Sequence, residues 1–212
     1  FALGRTPIDY SELTAKNVSL NGINLEYNSW YYFAVAAGLV DYRFNDVLIR
    51  RNKRTPQYFY MLRFGIGKVE NSHFIVSTYR GQKQAYFSGT VGASSKSTTV
   101  LGYSIEGKWK ISPNTYAMAE VAESLSPDLR YSPEQKAGKA FDMSDKDNKA
   151  YAVKIATGFP TTGTALEAMY RYTGANFQSF SSFQTNAALS AWHVKAEQFL
   201  FSRRLKINAS LR

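Results

Sequence analysis

Two histidines, His73 and His193, and no cysteine set the limits on nucleophilic and metal chemistry in this chain. Without thiols there is no disulfide scaffold, thiolate metal site or thiol nucleophile. A hydrolase of the serine–histidine type needs an imidazole beside a nucleophile, itself held by a third group. His193 stands in a charged alternating run with Lys195 and Glu197, where a structural hydrogen-bonded side chain is the simpler reading. His73 follows the turn-forming "ENS" and reads as a residue at a boundary between apolar and wet surroundings. Asp142, Asp145 and Asp147 lack the spacing and the glycine of a calcium loop. "GTVGAS", 89–94, is glycine-rich, but no lysine or helix follows to make a phosphate loop. Asn17 and Asn208 head Asn-x-Ser triplets that match a glycosylation acceptor, which would mean nothing in a bacterial barrel. No catalytic residue, cofactor or metal ligand is assigned, and an enzyme is not expected.

What the chain positions repeatedly is a two-residue alternation. In "LGYSIEGKWKISPNTYAM", 101–118, Leu101, Tyr103, Ile105, Trp109 and Ile111 share one parity with Gly107. Gly102, Ser104, Glu106, Lys108 and Lys110 share the other. Successive strand side chains point to opposite faces, so this is a strand with one apolar and one charged face. About ten such segments follow, at roughly 18–27, 30–43, 57–69, 73–82, 98–111, 115–124, 149–159, 165–175, 187–201 and 204–212. Most exceed the ~5–6 residues usual in globular proteins and match the ~9–11 that a tilted strand needs to cross hydrocarbon. No run reaches the ~18 apolar residues of a spanning helix; "WYYFAVAAGLV", 30–40, is the longest and is too short.

The connections alternate in length. "NS" (28–29), "ENS" (70–72), "SPN" (112–114), "TTG" (161–163) and "SRR" (202–204) carry turn chemistry. Between them lie the long links 44–56, 83–97, 125–148 and 176–186. In a meander this puts every short turn at one end and every long loop at the other, an asymmetry of transmembrane barrels.

The faces repeat strand by strand. Tyr58, Tyr60, Leu62, Phe64 and Ile66 oppose Met61, Arg63, Gly65 and Gly67; Tyr151, Val153, Ile155 and Phe159 oppose Ala150, Ala152, Lys154, Ala156 and Gly158. Leu166, Ala168, Tyr170 and Tyr172 oppose Glu167, Met169 and Arg171; Trp192, Val194 and Ala196 oppose His193, Lys195 and Glu197. Leu205, Ile207, Ala209 and Leu211 oppose Lys206, Asn208, Ser210 and Arg212. Segments 73–82 and 115–124 give no clear faces, and the Glu120/Glu123 spacing is expected to mark a bulge or an early strand end. A soluble antiparallel sheet also alternates. Two features favour lipid. Tyr27, Trp30, Trp109, Tyr116, Phe159 and Phe201 gather near the tight turns, as rings do at a membrane boundary. The polar rows also mix both charge signs with small residues, as in a crowded wet interior. Arg63, Glu106, Lys108, Lys154, Glu167, Arg171, His193, Lys195 and Glu197 are expected to line that interior.

Three stretches, "VSLNGINLEYNSWYYFAVAAGLVDYRF", "TTVLGYSIEGKWKISPNTYAMAEVAESL" and "FQSFSSFQTNAALSAWHVKAEQFLFSRRLKINASLR", resemble the barrel region of large Gram-negative outer-membrane proteins of the Bacteroidetes type. The similarity covers most of the chain and rests on a style of strand and turn, so no functional residue is carried over. It implies an outer-membrane location and a role in transport, secretion or surface assembly.

Charge adds a partner. Lys+Arg number 26 against Asp+Glu 16, a formal charge of +10, which favours anionic partners. Arg43, Arg50, Arg51, Lys53 and Arg54 cluster on a long link, hence on the outer side under this reading. They are expected to contact lipopolysaccharide phosphates through charge-assisted bonds, the plain alternative being a solvated charge run. Nucleic acid is not expected, since no recognition motif is present and the aromatics sit in regular rows.

The expectation is therefore one all-β unit over 1–212: an antiparallel up-and-down transmembrane β-barrel, or part of a larger one. The opening "FALGRTPIDYSEL" and the close on "INASLR" without a terminal aromatic favour a portion of a longer barrel. It would serve as a conduit or scaffold, in contact with outer-membrane lipid, lipopolysaccharide and other envelope proteins. Alternatives are a soluble β-barrel or sandwich binding a hydrophobic ligand, and, less favoured, an outer-membrane barrel enzyme.

Overall fold

The computed structural model describes residues 1–40, 57–85, 96–125, 146–181, 188–200 and 205–211. Among these, the alternating stretches form eleven strands: β1 (Ala2–Ile8), β2 (Val18–Asn28), β3 (Tyr31–Val40), β4 (Gln57–Gly67), β5 (His73–Ala85), β6 (Lys96–Ser112), β7 (Thr115–Leu125), β8 (Lys149–Phe159), β9 (Thr164–Thr173), β10 (Leu189–Leu200) and β11 (Leu205–Leu211). Each pairs antiparallel with the next, giving one sheet in the order β1 to β11. None of the described residues is helical. No ladder among them joins β1 to β11, so the described sheet is not closed into a barrel.

Ten strands fall where the alternation places them. β1 does not, because Gly4, at φ 97°, and Pro7 interrupt its pattern. It pairs with β2 from Ala2↔Asn24 to Ile8↔Val18. Proline is tolerated there because β1 is an edge strand. β7 corrects a second expectation. The Glu120/Glu123 spacing marks neither a bulge nor an end, since the strand continues to Leu125 with Glu106↔Glu120 and Tyr103↔Glu123 in regular register. The two carboxylates point to opposite faces, and the Tyr103 hydroxyl donates to Glu123. The register shift of this hairpin lies between Lys110 and Ser112, beside the turn.

The exposure of the two faces is the reverse of a water-soluble sheet. Tyr58, Tyr60, Leu62, Phe64 and Ile66, the whole apolar row of β4, are exposed, and so are Val153, Ile155, Trp192, Val194 and Ile207. Arg63, Glu106 and Glu120 are 2%, 4% and 1% exposed. On β5, His73, Ile75, Ser77 and Tyr79 are buried while Phe74 and Val76 are exposed. Its faces are obscure in the sequence because Ile75 and Tyr79 are apolar residues on the inner row. Tyr27, Trp30, Trp109 and Phe159 lie exposed near tight turns as expected. Tyr116 does not: it stands on the inner row opposite Ala156, with the Lys108 ammonium 4.8 Å from its ring centroid. Phe201 lies outside the described residues.

The turns that join β2 to β3 and β4 to β5 are stitched together. The Asn28 amide donates to both Glu70 oxygens at 2.9 and 3.0 Å, and Gly67 N–H donates to the Trp30 carbonyl at 2.9 Å. The backbone amide of Glu70, the Asn28 amide and the nearby Lys68 and Lys108 hold the Glu70 carboxyl below the usual range.

What buries the charged face is two connecting segments. Residues 9–17, between β1 and β2, and 174–181, after β9, lie against it. The Tyr10 hydroxyl donates to Asn24 on β2, the Arg63 guanidinium on β4 donates to the Tyr10 carbonyl at 2.8 Å, and Glu120 on β7 accepts from Ser11 and from the Leu13 amide. Glu12 reaches Lys154 on β8 at 3.6 Å. At the ~4.8 Å strand spacing, β2 and β8 would stand roughly 29 Å apart on a flat sheet. Side chains rise roughly perpendicular to their sheet, so they converge on residues 10 to 13 only if the sheet curls round them. The link 176–186, expected as an outer loop, is thus corrected over its described part: Phe177, Gln178 and Ser179 are buried, and Gln178 accepts from the Tyr79 hydroxyl at 2.8 Å.

Gly81 makes room for this packing. A Cβ there would lie 2.3 Å from the Phe180 ring and 2.3 Å from the Tyr58 carbonyl oxygen. Phe180 packs edge-on against Phe59 and Tyr79. Gly81→Val is expected to destabilise the fold by about 1–3 kcal/mol through overpacking, read as a lower midpoint in a urea titration. Adding Phe180→Ala relieves only part of the loss, because the backbone clash remains.

Candidate functional site

The inner face is built by parity. Inward positions of neighbouring strands fall in transverse rows, so residues far apart in sequence stand side by side. One row runs Gly65, Ile75, Glu106, Glu120, Ala152 and Arg171 from β4 to β9. The next runs His73, Lys108, Met118, Lys154, Met169 and His193 from β5 to β10.

Arg63 is the centre of the first cluster. Its guanidinium donates through Nε to Ser77 Oγ at 3.1 Å, through Nη1 to the Tyr10 carbonyl at 2.8 Å and through Nη2 to Glu106 Oε2 at 3.1 Å. The rings of Tyr10 and Tyr32 lie against it, with centroids at 5.1 and 5.3 Å. Aromatic faces attract a desolvated cation. The other oxygen of Glu106 meets His73 Nε2 at 2.6 Å. Each nitrogen of this cation therefore has a hydrogen-bond partner and its charge a carboxylate, the condition under which a buried charge is tolerated.

Glu120 forms the second anchor. Its Oε1 accepts from Ser11 Oγ at 2.5 Å and its Oε2 from the Leu13 amide at 3.2 Å. Ser11 Oγ in turn accepts from the Thr14 amide at 3.0 Å and from the Thr14 hydroxyl at 2.8 Å, closing a small turn. Glu106 and Glu120 are register partners, so two carboxylates sit side by side on adjacent strands. One is matched by a cation, the other by the inner segment. Farther along the wall, Lys154 bridges Glu167 at 3.0 Å and Glu12, which Lys16 and then Asp9 extend at 3.2 Å each. Lys195 and Lys206 hold Glu197 at 2.7 and 3.2 Å.

All nine residues expected in the interior lie on this face. Arg63, Glu106 and Lys108 group round His73, where the Lys108 ammonium also donates to the Val69 carbonyl at 2.9 Å. Lys154 and Glu167 form one ion pair, and Lys195 and Glu197 another. Among the described residues Arg171 makes one long bond, Nε to Thr173 Oγ1 at 3.4 Å. His193 stands opposite Met169, and among the described residues it makes no hydrogen bond, contrary to the network expected of it. His73 is a correction as well: it is buried beside Glu106 and is no boundary residue. Arg43, Arg50, Arg51, Lys53 and Arg54 lie outside the described residues, as do Asp142 and Asp145.

The sequence reading gave no inward role to Tyr10, Ser11, Tyr32 or Glu120. Glu120 was legible in principle, since it shares the parity of Ala122 and Ser124. Nothing local marks Tyr10 or Ser11.

Chemically, the arrangement holds segments in place. Among the described residues no three His, Asp or Glu side chains gather to hold a metal ion. His73 Nε2 is occupied by Glu106 and, among the described residues, its Nδ1 has no partner, so no described serine hydroxyl is placed against either nitrogen as a nucleophile. No protein-family model, curated protein or solved structure matches the chain.

Proposed function

We propose that this chain is the wall of an outer-membrane β-structure, its apolar rows in lipid and its ionic rows inward, serving as a scaffold or a plugged conduit for transport, secretion or surface assembly. The observation that carries the reading is the inverted distribution of side chains. Leu62, Phe64, Ile66, Val153 and Ile155 are exposed, while Arg63, Glu106 and Glu120 are buried. In water that arrangement forfeits apolar burial and desolvates charge at once. In a bilayer it is the low-energy one, because hydrocarbon accepts the apolar row and the strands, the two edges apart, satisfy their backbone within the sheet. The strand lengths and the separation of tight turns from long links support the same reading.

The interior favours scaffold over open pore. Segments 9–17 and 174–181 fill the space between β2 and β8, and they are held by charged or hydrogen-bonded wall residues. Passage along this wall would need them to move. The basic residues Arg43, Arg50, Arg51, Lys53 and Arg54, on the link from β3 to β4, are proposed to bind lipopolysaccharide phosphates from the rim that carries the long links.

The test is extraction. In fractionated cells the protein is expected in the outer membrane, retained through salt and carbonate washes and released only by detergent. Release by carbonate alone overturns the proposal.

A further inference from the structure

The eleven strands alternate in direction, so β1 and β11 run the same way. Direct closure of one on the other would make a parallel ladder in an otherwise antiparallel sheet. Closing it antiparallel takes an odd number of additional strands.

The two edges differ in kind. β1 carries Pro7, which has no N–H to give, and Gly4 at φ 97°. Both features blunt a pairing edge. β11 carries neither. Its sequence "LKINASL" alternates without interruption, and all seven residues are exposed. Its inward residues Lys206, Asn208 and Ser210 are as open as its outward ones, whereas the inner rows of β4 to β7 are covered by residues 9–17 and 174–181. The bonds and contacts of those two segments fall on β2 to β8. Among the described residues β11 is thus a regular strand paired on one side only.

We infer that the free edge of β11 receives a further β-strand, antiparallel to it and amphipathic, supplied by sequence other than residues 1–212 and belonging to an odd set of such strands. Its apolar residues face outward beside Leu205, Ile207, Ala209 and Leu211, and its polar residues face inward beside Lys206, Asn208 and Ser210. The inference rests on the membrane reading, in which an unpaired strand edge in hydrocarbon leaves its free N–H and C=O groups with no water to bond. A second copy does not meet the requirement. Copies inserted the same way up are related by an axis along the membrane normal, which leaves strand direction unchanged, so β11 against its own copy would again be parallel. An inverted copy would reverse the insertion.

Residues 1–212 hold no cysteine, so Ser210→Cys gives one labelling position within them, on the inward side of β11. Protein bearing a benzophenone at that position is irradiated in carbonate-washed membranes. Mass spectrometry is expected to place the adduct on a peptide of alternating apolar pattern from outside residues 1–212. Amide exchange in the same membranes is expected to protect every amide from Leu205 to Leu211. An adduct on residues 2–8, on another copy of β11 or on lipid alone overturns the inference, as does fast exchange at every second amide of β11. Absence of the protein from the washed membranes removes the lipid reading itself, a different failure.

Discussion

Leu62→Arg is expected to cost about 2–4 kcal/mol of folding free energy in a bilayer, the range for a cation on the lipid face near the midplane. Leu62 stands at the middle of β4, in an outward row of five exposed apolar side chains. In hydrocarbon its guanidinium would have to snorkel or drag water inward. At Ile66, on the same row beside the tight turn, the same substitution is expected to fall to about 0–1 kcal/mol, because the charge reaches the interface. The gradient along one face is the signature. On a protein whose apolar rows met water, both changes would stay within about 0.5 kcal/mol of neutral. Urea titrations of the protein folded in lipid vesicles measure both variants. Equal and negligible losses would falsify the assignment of this face to lipid.

Arg63→Met is expected to cost about 3–5 kcal/mol, the loss on breaking a buried pair from one side. The change removes three hydrogen bonds and leaves Glu106 with His73 alone, beside the Glu120 carboxylate. It also frees the carbonyl of Tyr10, so the inner segment loses its tie to β4. Adding Glu106→Gln removes the stranded charge, and the double variant is expected to be more stable than Arg63→Met alone. That sign of coupling is what a double-mutant cycle reads. Arg171→Met is the control: Arg171 is half-buried with one long bond, and about 1 kcal/mol or less is expected. If Arg63→Met proved as mild as Arg171→Met, the central cluster would not be what holds the wall to its inner segment.

Legibility in the sequence followed the range of the interaction that decides each feature. β4 and β8 were readable to the residue at which each begins, because a two-residue alternation is a local property. β5 and β7 were readable as strands but not as faces. On β5, Ile75 and Tyr79 are apolar yet point inward against Tyr32, Ala34 and Phe180. On β7, Glu123 is a carboxylate on the outward row, matched by Tyr103. β1 was invisible because Gly4 and Pro7 break its rhythm, and only pairing with β2 makes it a strand.

The site divides in the same way. That Arg63, Glu106, Lys154, Glu167, Lys195 and Glu197 share one face follows from parity, and the sequence by itself determined it, together with the meander and the alternation of tight and long connections. Which of them meet is a matter of register between strands, and what covers them is a matter of closure in three dimensions. Ser11 finds Glu120 across 109 positions of chain, and Ser181 finds the Leu13 carbonyl across 168. No periodicity encodes such contacts. They exist because the curled wall leaves buried carboxylates and a guanidinium whose desolvation must be offset, and residues 9–17 and 174–181 bring the hydroxyls and backbone groups that satisfy them.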